Sequence, residues 1–578
     1  MNRHALRPLT ASLLATLLLT PLALAAETAP EAATGTYGKT LAYAPEVMVT
    51  TANPLATEAG LAMLRKGGSA IDAAIAAQLM LGLTEPQSSG IAGGAFLLYH
   101  DGKQTTSFDG REKAPAAAKP ERFLDPNGKP LAFYDAVIGG RSVGVPGVLA
   151  MLHMAHQRHG KLPWAALFEP AISRAENGFQ MSSRLHALLV SEPHLKKDAN
   201  ARAYFYQEDG KPWPVGSVLK NPEYAATLRA IAAGGPKAFY SGKIAQAIVD
   251  AVKRHPTNPG DLTLADFAAY KAVERQPICG LYRFYKVCGM NAPSSGGVAV
   301  LQMLGILETR KLADWAPHAV ESAHLFTEAG RLAFADRAKY LADPDFVKVP
   351  SDALVSKPYL VTRSQQIDMA RSMGRAQAGD PVPKMALGLD SSPEFPSTSH
   401  LIVIDKQGHA VSMTSSIEDV FGSRMMVKGF LLNNQLTDFS FSPTDNGQPV
   451  ANRVEPGKRP RSSMSPVLVF NEQGQLAFAA GSPGGSQIIN YVAQTLVGLI
   501  DWKLSPLQAV ALPHYGSRNG PTELEKDTGQ EALAEALKAK GHEVKFVEMN
   551  SGLSAVVVKP DGLWGGADPR REGVAKGF

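Results

Sequence analysis

Thr398 stands in Ser397-Thr398-Ser399-His400, between the turn-forming run Gly388 to Pro396 and the apolar run Leu401-Ile402-Val403-Ile404. A hydroxyl at the junction of a linker and a strand suits self-cleavage. Its oxygen can attack the preceding carbonyl, break the chain between Ser397 and Thr398, and leave Thr398 as a new N-terminus. Such a terminus holds nucleophile and base on one residue, because the free α-amine takes the hydroxyl proton. An α-amine titrates near ~7.7–8.0, so a useful fraction is neutral at physiological pH. The competing reading is an ordinary Thr opening a strand. The rest of the sequence decides between them.

The elements around this residue are legible from periodicity and punctuation. Segments 57–66 and 70–83 read as helices separated by Gly67-Gly68, with Ser69 capping the second. A Gly- and Ser-rich turn over 84–95 leads to strands 96–99 and 105–108. Residues 148–176 are helical in pattern, broken near Gly160, and 320–341 is a long helix. His153, His156 and His159 share the first of these, but no carboxylate accompanies them, so placement near a helix end is preferred to metal binding. After Thr398 the texture changes. Strands 400–405 and 409–416 flank the turn Lys406-Gln407-Gly408, followed by strands 429–433, 467–470 and 476–480. Helices 486–502 and 531–540 and strands 544–548 and 555–559 close the chain. Helices, then strands, then helices predict sheets layered between helices.

The chain has 578 residues and a formal charge of +5 with the two signs interspersed, which gives nucleic-acid binding little support. Arg3 and Arg7, an apolar stretch over 9–24 and Ala23-Leu24-Ala25 read as a secretory signal over 1–25. A periplasmic or secreted protein without a stable membrane anchor is expected. The other apolar stretch of note, 71–83, contains Asp72 and reads as a buried helix. Cys279 and Cys288 flank a short hairpin pattern; export permits a bridge between them, and the sequence leaves it open. Residues 375–397, rich in Gly, Pro and Ser, read as a flexible linker.

Several further segments carry a resemblance. They are Glu85 to Gly94, Asp109-Gly110-Arg111-Glu112, Pro293 to Gly297, Thr398-Ser399-His400, Leu431 to Gln435, Lys458 to Pro466 and Gly481 to Ser486. In this order they resemble the γ-glutamyltranspeptidases, members of the N-terminal-nucleophile hydrolases, from about Ala44 to the C-terminus. The resemblance implies an α+β fold, an αββα sandwich formed by two chains cut from one precursor. These would be a large subunit over 26–397 and a small subunit over 398–578. It implies transfer of a γ-glutamyl group from glutathione or related amides to water, amino acids or peptides. It implies no metal and no organic cofactor.

Site residues follow from the same resemblance, each with a physical rationale. A γ-glutamyl donor ends in an α-carboxylate and an α-ammonium. Arg111 suits the carboxylate, because a guanidinium offers it a planar fork, and Ser462 and Ser463 add hydroxyl donors. Asp438 suits the ammonium, with Glu418 and Gln435 beside it. Gly484 and Gly485 precede an apolar helix, where unpaired amides can hold an oxyanion. Ser416 stands where the family usually has a second Thr that orients the nucleophile; it keeps the hydroxyl and drops a methyl. His400 is expected to be packed, with no part in proton transfer. Between Asp438 and Arg459 the segment is shorter than the lid of some relatives and lacks a Tyr, so a more open acceptor side is expected. The rival readings are a cephalosporin (glutaryl) acylase on the same scaffold and an uncleaved, non-enzymatic periplasmic binding protein.

Overall fold

The computed structural model describes residues 34–383, 385–392 and 397–578. The expected export signal lies outside them. Among the described residues no helix is long and apolar enough to cross a membrane.

Two seven-stranded sheets form the centre, and all their pairings are antiparallel. One runs Val574–Gly577, Met48–Thr51, Ser397–Ile404, Ala410–Glu418, Gly94–His100, Thr105–Gly110, Val273–Arg275. The other runs Ala42–Ala44, Gly562–Ala567, Ser554–Lys559, Leu476–Gly481, Val467–Phe470, Tyr285–Gly289, Ile278–Tyr282.

Side-chain alternation assigns the layers. In the strand Ser397–Ile404, Leu401 and Val403 pack with helices Pro54–Arg65 and Ala70–Thr84. Ile402 and Ile404 point the other way, onto Leu468, Ala479 and Val556 of the second sheet. That sheet's outer face, through Val467, Val469, Ala555 and Val557, packs on helices Gly296–Leu307, Val320–Tyr340 and Ile488–Ile500. The order is helix, sheet, sheet, helix, as expected. Segments before and after the 397/398 peptide interleave in both sheets, so neither part has a core of its own.

Local chemistry sets the element ends. Ser69 and Asp72 form a capping box, and every residue of Ala70–Thr84 is buried. The preceding helix begins earlier than expected, because Asn53 caps it and Pro54 takes the first position. The nucleophile strand also begins earlier: Ser397 and Thr398 both join the ladder, with an irregularity between them. The apolar helix expected over 486–502 is preceded by a 3₁₀ turn, Gly485–Gln487, and spans Ile488–Ile500.

Residues 384 and 393–396 of the expected linker lie outside the described residues. The described remainder is tied down rather than loose. Ala376 exchanges two hydrogen bonds with the Asn519 side chain, Gly388 N–H donates to the Pro449 carbonyl at 3.0 Å, and Asp390 accepts from Asn452 and pairs with Arg461 at 3.0 Å. The short lid segment forms a small hairpin, Thr444–Asp445 with Gln448–Pro449. Cys279 and Cys288 pair across the Ile278–Tyr282 and Tyr285–Gly289 hairpin and form a disulfide. The histidines of helix Val148–His159 form no cluster, although His153 and His156 share Trp164 and His156 has the Asp72 carboxylate at 3.6 Å, a neighbour the sequence did not reveal. His153 is edge-on to Trp164, His156 donates to the Leu162 carbonyl and His159 packs on Tyr99.

Candidate active site

Thr398 lies near the end of a strand that is central in its sheet, and is 3% exposed. Its Oγ1 donates to Ser416 Oγ at 3.2 Å, and Ser416 Oγ donates to the Ser397 carbonyl at 2.7 Å. The Glu418 N–H donates to the same Ser416 oxygen at 2.9 Å. One hydroxyl therefore touches both the Thr398 oxygen and the Ser397 carbonyl. Register makes this possible: Thr398 pairs with Ser416 and Ser397 with Glu418, so Ile417 is an extra residue. Glu418 takes up the distortion with φ of +79°, a left-handed conformation that L side chains rarely adopt. Behind Ser416 stands Gly93, where a Cβ would lie 2.1 Å from the Ser416 carbonyl oxygen.

Further bonds fix the Ser397–Thr398 unit. Ser397 Oγ donates to the Gln87 carbonyl at 2.9 Å and can accept from Ser88 Oγ at 3.0 Å. Buried Arg571 donates to the Thr398 carbonyl at 2.9 Å. Sequence reasoning missed Arg571, which is 173 residues from its partner; its signal is a second arginine in Asp568-Pro569-Arg570-Arg571.

Thr398, Ser416, Glu418, Gln435, Asp438, Ser462, Ser463 and Gly485 line one cavity, with Met464 and Ile488 as apolar walls. Its room is about 20 Å³, enough for one water molecule. Arg111 and Gly484 stand just behind it. Arg111 is fully buried and pairs with Asp438 through Nη2; its Nε and Nη2 also donate to the Pro460 and Arg461 carbonyls. Its Nη1 approaches Glu112 at 3.6 Å and makes no hydrogen bond. The residues expected to read the two ends of an amino-acid head thus grip each other in the uncut chain. Gln435 Nε2 donates to the same Asp438 oxygen at 2.9 Å.

Burial shapes the charges here. Glu418 is held well above the usual carboxylate range by burial and by its neighbours Asp438 and Asp419. It accepts from Asn434 Nδ2, and in protonated form it keeps an accepting carbonyl oxygen, as an amide does. Glu112 is pushed up to about 8 by burial, which outweighs the adjacent Arg111. Ser463 Oγ accepts from Arg337 Nη2 at 2.7 Å. Gly484 has φ of +137° and Gly485 +53°, and they open the turn into Ile488–Ile500. The amides at such a start lack helical partners.

His400 is packed: its Nδ1 contacts Thr414 Oγ1 at 2.8 Å, and burial pushes the ring down to about 3. Unfolded, it titrates near ~6.5. A folded value below the unfolded one adds stability that is complete above about 6.5 and lost as pH falls from there toward 3. Thermal midpoints are expected to drop between pH 7.5 and 4.5, and to drop less in His400→Gln. Equal slopes in the two proteins would remove His400 from that account.

Comparison with known proteins agrees with this geometry. A sequence model of the family described as gamma-glutamyltranspeptidase matches residues 56–578. The chain is 37% identical over 542 residues to a glutathione hydrolase proenzyme of Escherichia coli (strain K12), covering 91% of each chain. It is 36% identical over 549 residues to the acylase ACY 1 proenzyme of Pseudomonas sp. (strain SE83), covering 93% of this chain and 94% of that one. The crystal structure of cephalosporin acylase from Bacillus halodurans superposes with a TM-score of 0.80 at 27% identity, over 95% of this chain and 99% of the other. With the family's sequence pattern running through both sheets and the cavity between them, the chain belongs to the gamma-glutamyltranspeptidase family.

Proposed function

We propose that the protein is an autoprocessing γ-glutamyltransferase and hydrolase that takes glutathione and other γ-glutamyl amides as donors. Cleavage between Ser397 and Thr398 yields a large subunit, 26–397, and a small subunit, 398–578, once the signal over 1–25 is removed on export. The Cys279–Cys288 disulfide fits a periplasmic or secreted setting. The observation that carries the reading is the line from Thr398 Oγ1 through Ser416 Oγ to the Ser397 carbonyl, at the edge of a cavity that ends in the Asp438–Arg111 pair.

In the first reaction Thr398 Oγ1 bonds to the Ser397 carbonyl carbon while Ser416 donates to the developing oxyanion. The C–N bond breaks, the amine of Thr398 gains a proton, and an ester joins Ser397 to Thr398 Oγ1. Water hydrolyses it to a Ser397 carboxylate and a free Thr398. Ser416→Ala is expected to slow this step about 10²- to 10³-fold, as the loss of an oxyanion donor does. The uncut chain would accumulate on denaturing gels. Processing at the parent rate would show that Ser416 only fills space.

In turnover the α-amine of Thr398 takes the hydroxyl proton as Oγ1 attacks the γ-carbonyl. The Gly484 and Gly485 amides hold the oxyanion, the amine leaves with the proton, and a γ-glutamyl ester remains. Water or an acceptor amine releases it, which gives ping-pong kinetics. Arg111 takes the donor's α-carboxylate with Ser462 and Ser463; Asp438, Gln435 and Glu418 take the ammonium. At Gly484 a Cβ would lie 2.5 Å from the Tyr491 ring. Gly484→Ala is therefore expected to lower kcat about 10²-fold with little change in KM. A change confined to KM would argue against an oxyanion role.

A glutaryl acylase is the second reading, favoured by the likeness to the Pseudomonas acylase. The part-buried carboxylate of Asp438 speaks for an ammonium-bearing head. Matched glutamyl and glutaryl anilides test this. The glutamyl anilide is expected to be turned over far faster, and a preference for glutaryl would overturn the proposal.

A further inference from the structure

Helix Val320–Tyr340 carries His324 and Glu328 at i and i+4, so both project from one face. The turn after helix Glu531–Ala539 brings His542 onto that face. All three side chains are buried, and their ligand atoms lie within 4.8 Å of one another. His324 Nδ1 faces His542 Nε2 at 2.7 Å. The outer ring nitrogens meet oxygens: His324 Nε2 the Asp368 carbonyl at 2.9 Å, His542 Nδ1 the Thr522 hydroxyl at 2.7 Å.

A carbonyl only accepts, so neutral His324 carries its proton on Nε2 and turns the Nδ1 lone pair inward. Thr522 Oγ1 can accept from His542 in the same way, which turns a second lone pair inward. Glu328 is oriented by Arg331 Nε at 3.0 Å, Ser372 Oγ at 2.8 Å and the Met373 N–H at 2.8 Å. Inward lone pairs with the outer atoms fixed by hydrogen bonds is how metal ligands are held.

We propose that His324, Glu328 and His542 form a site for one divalent transition metal of the zinc type. Two imidazole nitrogens and a carboxylate oxygen suit Zn²⁺ better than the hard cations Ca²⁺ or Mg²⁺. Tetrahedral bonds of ~2.0–2.1 Å place ligating nitrogens about 3.3 Å apart, so binding spreads the two rings by roughly half an ångström. A water completes the set. The surrounding charges are mixed: Arg331 and Lys540 face the site, balanced by Glu328, Asp368 and Glu543.

The role follows from position. His324 and Glu328 precede the 397/398 peptide and His542 follows it, so the ion ties together the two chains that cleavage creates. Binding to the folded heterodimer alone raises its stability by mass action. The alternative is a direct bond in which His542 Nε2 donates to His324 Nδ1 with no ion present.

The test uses untagged, processed protein, stripped by a chelator and titrated with Zn²⁺ against a chromophoric competitor. One equivalent per heterodimer is expected, with a raised thermal midpoint. Both effects should vanish in His542→Gln and in His324→Gln, with turnover at Thr398 unchanged. Co²⁺ bound to the parent protein should show the intense visible bands of a tetrahedral site, a readout that needs no variant to fold. Failure to retain Zn²⁺ against the competitor, equal binding by parent and variants, or absence of those bands would each overturn the proposal.

Discussion

Thr398→Ala is expected to remain a single uncut chain and to lose γ-glutamyl transfer by about 10⁴-fold or more. The variant loses the attacking oxygen for self-cleavage. Without cleavage, the α-amine that would serve as base stays locked in a peptide. No neighbouring hydroxyl can substitute. Ser399 falls on the opposite face of the strand by alternation, and its Oγ is buried without a hydrogen-bond partner. Ser416 is held by the Glu418 N–H on the next strand. Thr398→Ser keeps the oxygen and is expected to be cut more slowly. Intact-mass measurement separates these outcomes. A fragment beginning at residue 398 in Thr398→Ala would mean that another group cuts the chain.

Arg111→Gln is expected to lower kcat/KM for a γ-glutamyl anilide about 10²- to 10³-fold, mostly through KM. The guanidinium is the cation beside Asp438 and Glu112, and it is fully buried. Its removal takes the cation away from Asp438, and breaking one partner of a buried pair costs about 3–5 kcal/mol. A fall in thermal stability is therefore expected too, and cleavage must be verified before kinetics are read. A donor that lacks the α-carboxylate, 4-aminobutanoyl anilide, separates recognition from stability. If Arg111 reads the carboxylate, parent and variant should handle this compound alike. An equal loss on both anilides would make the effect structural.

The uncut chain also suggests how the site waits for its donor. Arg111 and Asp438 satisfy each other at the end of a cavity with room for one water. On the proposed reading a donor's carboxylate and ammonium would replace that pairing with two charge-matched contacts, and the head group would enter by exchange. The linker that precedes the cut is fastened to the small hairpin through Gly388 and Leu389, and to Asn452 and Arg461 through Asp390. The expectation of a loose linker missed this, because its Gly, Pro and Ser content reports local backbone preference and not the partners it meets.

The sequence by itself determined whatever has a local cause. The apolar run at 401–404 marked the nucleophile strand. Ser69 with Asp72, and the Gly pair ahead of an apolar run, marked helix starts, because caps and turns act within a few residues. Only the tertiary structure decided the rest. Arg571 meets Thr398 across 173 residues, Arg337 meets Ser463 across 126, and Arg111 meets Asp438 across 327. The strained Glu418 exists because one strand carries an extra residue against its partner. A charged residue leaves no periodic trace of the partner it will find. Such pairs form where interleaved strands and packed helices bring distant segments together and burial makes an unpaired charge costly.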